Sequence, residues 1–268
     1  MKKVSSVILA TVLMAVALCS CGGTTTTDEL AQVKEAGKLI IGMTEFAPLN
    51  YKAEDGSWTG FETEFAQAVC EELGVKAEFQ VINWASKVSE LNGKTIDCIW
   101  NGMTITPEIS AETSISTAYL ENKQVVIVKE ENKAKFEAEN PDLSGLVVVA
   151  EADSAGEQTI ESEEVFKGCT YTPVADMASA LLEVSSGTAD AAVIDYIMSI
   201  GSIGEGTDYK NLTAVVFDEF EGEQYGIAFR KDSNLQPEVN AIITKLVESG
   251  KLAQIADKYK LKDFVIAK

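Results

Sequence analysis

The sequence predicts an α/β protein with two successive α/β units, and three observations support this fold class. In the segment 97–110, Cys-Ile-Trp has the pattern of a buried strand, Asn-Gly that of a turn, and Thr-Pro-Glu that of a helix start. A second unit begins with the apolar strand 146–150, after which Ser154 and Glu157 have the spacing of a helix capping box. A chain of 268 residues is also long enough for two domains of ordinary size.

The elements of the first unit follow from apolar spacing and from the glycines that end helices. Phe61, Phe65, Val69 and Leu73 recur at helical spacing, and Gly74 ends this apolar stripe. The stripe therefore predicts a helix packed on a core. In chain order, the predicted elements are helix 29–36, strand 39–42, helix 61–73 and strand 77–82.

The rest of the chain continues the alternation of strands and helices. The segment 130–142 is charged and contains a proline, which favours a solvated surface segment. The predicted strands are 124–129, 146–150, 191–195, 213–217 and 224–229, and the predicted helices begin at 154 or span 177–184, 239–247 and 252–259.

The N-terminus predicts an extracytoplasmic lipoprotein. A short basic start precedes the apolar run 7–18, and Leu-Cys-Ser-Cys at 18–21 resembles a bacterial lipobox in which Cys21 is lipidated. We therefore expect a signal peptide at 1–20 and a lipid-anchored linker at 21–28. The alternatives are an ordinary signal peptide or a transmembrane anchor, but the apolar run is short for a span and the following Gly/Thr run is typical of a tether.

Composition excludes several kinds of partner and site. Removal of residues 1–20 would take away two lysines, which leaves 20 basic and 42 acidic residues and a formal charge of −22. Such a surface is a poor partner for nucleic acid and for anionic lipid, so we expect contact with the membrane only through the anchor. The chain has no His, and Cys70, Cys98 and Cys169 lack metal-type spacing. We therefore expect no metal and no cofactor.

Gly-Met-Thr-Ile-Thr at 102–106 resembles the signature of the amino-acid-binding proteins of ABC importers, solute-binding protein family 3. The resemblance covers essentially the whole processed chain. It implies a two-lobed fold of the type II periplasmic-binding-protein class, with a ligand cleft between lobes joined by two crossing hinge segments. It also implies a monomer that hands a small ligand to an ABC permease. The implied bounds are 29–119 plus 224–268 for lobe 1, 124–217 for lobe 2, and 120–123 and 218–223 for the hinge.

The same resemblance implies a set of ligand-binding residues. Asp195, after the strand Ala-Ala-Val-Ile, matches the Asp that pairs with the ligand's α-ammonium, and Phe46 matches an aromatic that stacks on the ligand. Each has a structural alternative: a helix N-cap for Asp195 and a core position for Phe46. Trp84 is equally compatible with ligand contact and with packing, and Asp153 with a helix cap. The full implied set is Glu45, Phe46, Trp84, Asn101, Gly102, Thr104, Ile109, Glu151, Asp153, Ser154 and Asp195.

One position departs from the family signature. The family has an Arg where this chain has Ile109, and that Arg grips the ligand's α-carboxylate. An aliphatic side chain cannot replace its bidentate charged fork. The only Arg of the chain is Arg230, and no Lys lies in the segments matched to the cleft. We therefore expect an acidic cleft in which the ligand class is altered, towards an amine without a carboxylate, or amino-acid binding is weakened.

Two rivals to a transport protein remain open. The implied fold is similar to that of cyclohexadienyl dehydratases, and the cleft acids could include a general acid if burial raised a pKa. No paired-carboxylate motif supports catalysis, so we expect no enzyme. The other rival is a ligand-sensing module for a receptor, which a chain without a fused signalling helix does not favour.

Overall fold

The computed structural model of the protein describes residues 28–267. The predicted signal peptide and Cys21 lie outside these residues. Within the described part, no helix has the length and apolar character needed to cross a membrane. The strands are β1 (Lys38–Met43), β2 (Tyr51–Lys52), β3 (Trp58–Thr59), β4 (Lys76–Val81), β5 (Cys98–Ile99), β6 (Thr113–Ile115), β7 (Leu120–Lys129), β8 (Val147–Glu151), β9 (Thr170–Val174), β10 (Ala191–Asp195), β11 (Leu212–Val215), β12 (Gly222–Tyr225) and β13 (Ala228–Arg230).

The helices follow the predicted order along the chain. They are α1 (Glu29–Ala36), α2 (Phe61–Leu73), α3 (Lys87–Asn92), α4 (Pro107–Glu112), α5 (Lys133–Phe136), α6 (Ala155–Ser162), α7 (Met177–Ser186), α8 (Tyr196–Ser202), α9 (Leu235–Glu248) and α10 (Lys251–Lys258), with short 3-10 helices at Trp84–Ser86, Glu130–Asn132, Glu164–Phe166 and Lys262–Phe264. The predicted stripe on α2 is confirmed, because Phe61, Phe65, Val69 and Leu73 are all buried.

Two sheets form the two lobes. The first has the order β4-β1-β5-β13-β6, with β1 parallel to β4 and β5 and with β13 antiparallel to β5 and β6. The second has the order β11-β7-β10-β8-β9, with β8 parallel to β10 and β9. Parallel pairs joined through helices are the pattern of α/β folds. The two-lobed α/β architecture expected from the sequence is therefore confirmed.

Two strands run side by side where the chain passes between the sheets. The first residues of β7 pair antiparallel with β12, in a register that places Leu120 opposite Tyr225 and Lys123 opposite Gly222. The later residues of β7 pair with β10 and β11 in the second sheet. The two crossings are thus hydrogen-bonded to each other, and the bounds given above for lobes and hinge stay a prediction.

The segment predicted as one strand at 224–229 is divided into β12 and β13. Between them, the backbone N–H of Gly226 donates to Met103 O at 3.0 Å. A Cβ at this glycine would lie 2.6 Å from the side chain of Ile115, so the approach of the chains requires glycine. At this break, the chain leaves the paired strands β7 and β12 and enters the first sheet.

The single Arg of the chain lies inside lobe 1 and not in the cleft. Arg230 Nη1 donates to the carbonyl oxygens of Leu91 (2.9 Å) and Ile96 (2.6 Å), and its Nε pairs with the buried carboxylate of Glu29. Nη2 lies 3.3 Å from Asp97 Oδ1. These bonds fix α1 and the loop before β5 to β13, so the guanidinium of Arg230 is occupied within lobe 1.

Candidate ligand-binding site

A cavity of about 330 Å³ lies between the two lobes. This volume is at the lower end of the range typical of small-molecule sites. Eight of the predicted ligand-binding residues line it, namely Trp84, Gly102, Thr104, Ile109, Glu151, Asp153, Ser154 and Asp195. Further lining residues are Ala85, Lys87, Val88, Met103, Thr106, Glu108, Glu112, Ala155, Gln158 and Met177.

The start of α4 brings Ile109 to the wall of the cavity. Thr106 is the N-cap of this helix, and its Oγ1 accepts a hydrogen bond from the backbone N–H of Ile109 at 3.3 Å. The half-buried Ile109 side chain packs against the apolar cluster that contains Trp84 and Met103. Ile109 therefore gives this part of the cavity wall an apolar surface.

The turn between β8 and α6 forms the facing wall in lobe 2. Asp153 has φ +56°, in the left-handed region that favours glycine. Ser154 caps α6 by accepting from the N–H of Glu157, whose carboxylate accepts in return from the N–H of Asp153. In the hydrogen bonds of the described residues, the N–H groups of Ala155 and Gly156 have no acceptor.

Two side-chain amides hold Asp195 at the end of β10. Its carboxylate accepts from Gln124 Nε2 at 2.8 Å and from Asn122 Nδ2. It makes no helix-capping bond, because the N–H of Ile197 donates instead to Asn122 Oδ1. Burial, and then the negative charge of Glu223, raise the pKa of Asp195 to about 8.

Glu151, at the end of β8, is a buried acid with an unused oxygen. It is 2% exposed, it lines the cavity, and its Oε1 has no hydrogen-bond partner among the described residues. Burial, and then the charge of Asp195, raise its pKa to about 8. A ligand ammonium between Glu151 and Asp195 would supply both the missing donor and a compensating charge.

Three predicted ligand-binding residues do not line the cavity. Glu45 is exposed. Phe46 is fully buried beneath Gly102, where a Cβ on that glycine would lie 2.7 Å from its ring, so Phe46 takes the core position given as its alternative. The Asn101 side chain accepts from the N–H of Thr44 at 3.0 Å and donates to its hydroxyl at 2.8 Å. Asn101 therefore joins the ends of β1 and β5.

The floor of the cavity at Gly102 is anchored from inside lobe 1. Glu62, on α2, accepts from the N–H of Gly102 at 2.9 Å, from Asn50 Nδ2 at 2.8 Å and from the hydroxyl of Tyr119. Burial raises its pKa to about 7 against the effect of these donors. Helical periodicity places Glu62 beside the apolar stripe but does not reveal this role.

Sequence reasoning missed Lys87, Glu108 and Glu112, which line the cavity, and Glu223, which contacts the lining residue Thr104. Although no Lys lies in the segments matched to the cleft, Lys87, at the start of α3, lines the cavity. Glu223, on β12, accepts from Gln124 Nε2 at 2.6 Å and from the hydroxyl of Thr104, which links lobe 1 to the side chains around Asp195. Burial raises the pKa of Glu223. Among residues 28–267, no group of acids and cysteines is arranged as a metal site.

Residues 39–262 match the family described as bacterial extracellular solute-binding proteins, family 3. The chain is 28% identical over 232 residues to the L-cystine-binding protein TcyJ of Escherichia coli K12, covering 86% of this chain and 85% of that protein. It is 28% identical over 249 residues to the arginine-binding extracellular protein ArtP of Bacillus subtilis, covering 91% and 92%.

Solved structures give the same two-lobed fold. An ABC uptake transporter substrate-binding protein from Streptococcus pneumoniae with bound histidine has a TM-score of 0.78 and 26% identity, covering 90% of this chain and 99% of that one. The ancestral amino-acid-binding protein AncCDT-1, a precursor of cyclohexadienyl dehydratase, has a TM-score of 0.77 and 27% identity, covering 86% and 99%. The type II fold expected from the sequence is confirmed.

Proposed function

The chain belongs to the bacterial extracellular solute-binding proteins, family 3, and we propose from this that it captures an amino acid or a related amine outside the cytoplasm and delivers it to an ABC importer. The cavity between the lobes is the observation that carries the proposal. Both lobes contribute to its walls, so a ligand would favour the closed form, whose combined surface a permease can recognise. Similar proteins named for cystine and arginine bind ligands that share an α-ammonium group.

Asp195 is the proposed partner of that ammonium. In a thermal-shift and calorimetry screen of amino acids and their amines, a bound ligand should raise the melting temperature by mass action. Asp195→Ala should weaken its binding by about a hundredfold or more, since loss of one partner of a buried charge pair costs about 3 to 5 kcal/mol. Asp218→Ala, an exposed acid outside the cavity, is the matched control. Full affinity in Asp195→Ala would remove this residue from the site.

Ile109 is the proposed cause of an altered ligand class or of weaker amino-acid binding. Ile109→Arg would restore two charge-assisted hydrogen bonds, each worth about 1.5 to 3 kcal/mol. We expect the variant to bind an ordinary α-amino acid at least tenfold more tightly than the parent chain in calorimetry, with Ile109→Leu unchanged. No gain would mean that the cleft has been remodelled around Ile109.

Anchoring through a lipid on Cys21 completes the proposed role. The lipobox-like segment and the Gly/Thr run before the folded part support it. A monomer tethered in this way stays close to its permease. Cys21→Ser should move the protein from the membrane fraction to the soluble fraction, and an unchanged distribution would count against the anchor.

A dehydratase-like enzyme is the second candidate, and one observation favours it. Burial holds the pKa of both Glu151 and Asp195 near 8, so each can carry a proton at neutral pH as a general acid must. The name of the similar ancestral protein links this fold to such an enzyme. Incubation with prephenate or arogenate, followed by product analysis, separates the candidates: product formation that Glu151→Gln abolishes would establish catalysis.

A further inference from the structure

Lys87 is a buried cation without a close counter-charge. Its side chain is 7% exposed, and its Nζ donates to the carbonyl oxygens of Asp153 (2.9 Å) and Trp84 (3.4 Å). Among residues 28–267, no carboxylate oxygen lies within 4.0 Å of this Nζ. An ammonium has three N–H donors, so one donor remains for another acceptor. Lys87 lines the cavity, where a ligand could supply that acceptor.

The surroundings of Lys87 make an anion favourable at this place. Burial lowers its pKa, which the more distant charges of Asp153, Glu151 and Glu157 partly oppose. A buried charge that only carbonyl dipoles compensate is costly, and an anion in direct contact would remove much of that cost. The ammonium lies over the indole of Trp84, with 4.9 Å from Nζ to the ring centroid.

The start of α6 lies next to the same ammonium. Asp153, whose carbonyl oxygen binds Lys87 Nζ, belongs to the turn that leads into α6. The N–H groups of Ala155 and Gly156 follow directly and have no acceptor in the described residues. Helix N-termini carry partial positive charge and bind carboxylates. Ala155 lines the cavity, so its N–H group and one lysine donor are available for a carboxylate.

The acids of the cavity favour a positively charged group on the ligand. The unpaired Oε1 of Glu151 needs a donor, and Asp195 lies in the same cavity. A ligand with an ammonium and a carboxylate satisfies both ends, whereas a carboxylate-free amine would leave Lys87 unpaired.

We propose that Lys87 binds the ligand's carboxylate, in place of the arginine that is absent at position 109, and so selects α-amino acids over the amines derived from them. This inference rests on the proposed function. It differs from a purely structural role of Lys87, in which its bond to Asp153 only holds the two lobes together. A structural role would affect every ligand equally.

The test compares each amino acid with its decarboxylated amine. We would measure affinities by calorimetry for L-arginine and agmatine, L-glutamine and 4-aminobutanamide, and L-histidine and histamine. The parent chain should prefer an amino acid to its amine. Lys87→Met should lower the affinity for that amino acid by about tenfold or more, as expected for a lost charged hydrogen bond. The affinity for its amine should change by less than about threefold.

Two variants control this measurement. Lys87→Arg keeps the positive charge and should retain the preference for the amino acid. Lys52→Met removes an exposed lysine that also lies over an indole, 3.7 Å from the centroid of Trp58, and it should change nothing because Lys52 is outside the cavity. Thermal melts without ligand show whether each variant is folded.

The possible failures are distinct. If Lys87→Met weakens amino acid and amine equally, Lys87 only holds the lobes together and the inference is overturned. If the parent chain binds amines more tightly than amino acids, the inference is overturned while capture of an amine stands. If none of the six compounds binds, the proposed ligand class falls and the inference falls with it.

Discussion

Two basic side chains are buried in the described part of the molecule, and they differ in what surrounds them. Arg230, inside lobe 1, has carboxylates from Glu29 and Asp97 and two carbonyl oxygens for its guanidinium. Lys87, in the cleft, has two carbonyl oxygens and no carboxylate within 4.0 Å among these residues. A buried charge that has a counter-charge within the chain stabilises the fold. A buried charge without a counter-charge, called open below, is available to a ligand.

The buried glutamates repeat this contrast. Glu62, beneath the cavity floor, accepts from Gly102, Asn50 and Tyr119. Glu151, on the opposite lobe, has an oxygen without a partner. Burial raises the pKa of both, to about 7 and about 8. The difference therefore lies in hydrogen bonding and not in depth, and it assigns Glu62 to the fold and Glu151 to the site.

The largest expected effect is the difference in stability loss when each of the two buried cations is removed. Arg230→Met would leave the carboxylate of Glu29 buried without its partner, so we expect the free energy of unfolding to fall by about 3 to 5 kcal/mol. Lys87→Met breaks no close ion pair and should change it by less than about 1 kcal/mol. Urea denaturation of the ligand-free proteins measures both. Equal losses would show that Lys87 is as structural as Arg230.

The glutamate pair should respond with opposite signs. Glu151→Gln should raise the free energy of unfolding at pH 7.5 by about 1 to 3 kcal/mol, because it removes a carboxyl that is costly to bury. Glu62→Gln should lower it by about 1 to 3 kcal/mol, because the new NH₂ group would face donors where an acceptor is needed.

The pH dependence of stability tests whether burial of the Glu151 carboxyl causes the gain expected from Glu151→Gln. The folded-state pKa of Glu151 is raised from 4.5 to about 8, so the parent protein loses stability as the pH rises from about 4.5 to about 8. The gain from Glu151→Gln should therefore nearly vanish at pH 4.5. Thermal melts of the parent protein and the variant at pH 4.5 and pH 7.5 measure this gain. A gain that is the same at both pH values would indicate an effect of packing.

Much of the fold could be predicted because it depends on local signals. Helix α1 ends at Gly37, with φ +68°, as its glycine predicts, and Thr106 and Ser154 cap α4 and α6 as their spacing predicts. Apolar periodicity gives α2 its buried face. These signals lie within a few residues of the element that they define.

The missed parts of the site depend on contacts between distant segments. The Gln124 side chain joins Asp195 to Glu223, which lie 71 and 99 residues from it in the chain. Lys87 reaches the turn at Asp153 across 66 residues, and sequence alone shows only a lysine beside an apolar helix stripe. Family resemblance placed Asp195 and Ile109 in the cleft but could not reveal residues outside the matched motifs.

The smallest expected effect is a pH dependence of ligand affinity, and it tests whether the open acids of the cleft meet an ammonium. Without ligand, burial holds the pKa of Glu151 and of Asp195 at about 8, so below that pH both carboxyls tend to keep a proton. A bound ammonium stabilises the carboxylates and lowers these pKa values. Binding must then release protons, and the association constant should rise from pH 6 to pH 8, by at most about tenfold per pH unit for each proton released.

Calorimetry in buffers of different ionisation enthalpy counts the protons directly. Glu151→Gln should make the rise shallower, because one of the two acids is then always neutral. Burial lowers the pKa of Lys87, and loss of its charge at high pH would weaken binding of a carboxylate. An affinity that is constant from pH 6 to pH 8, with no proton released, would mean that the ligand's ammonium lies away from Glu151 and Asp195. The contrast between charges that have a counter-charge in the chain and charges that do not would then rest on Arg230 and Lys87 alone.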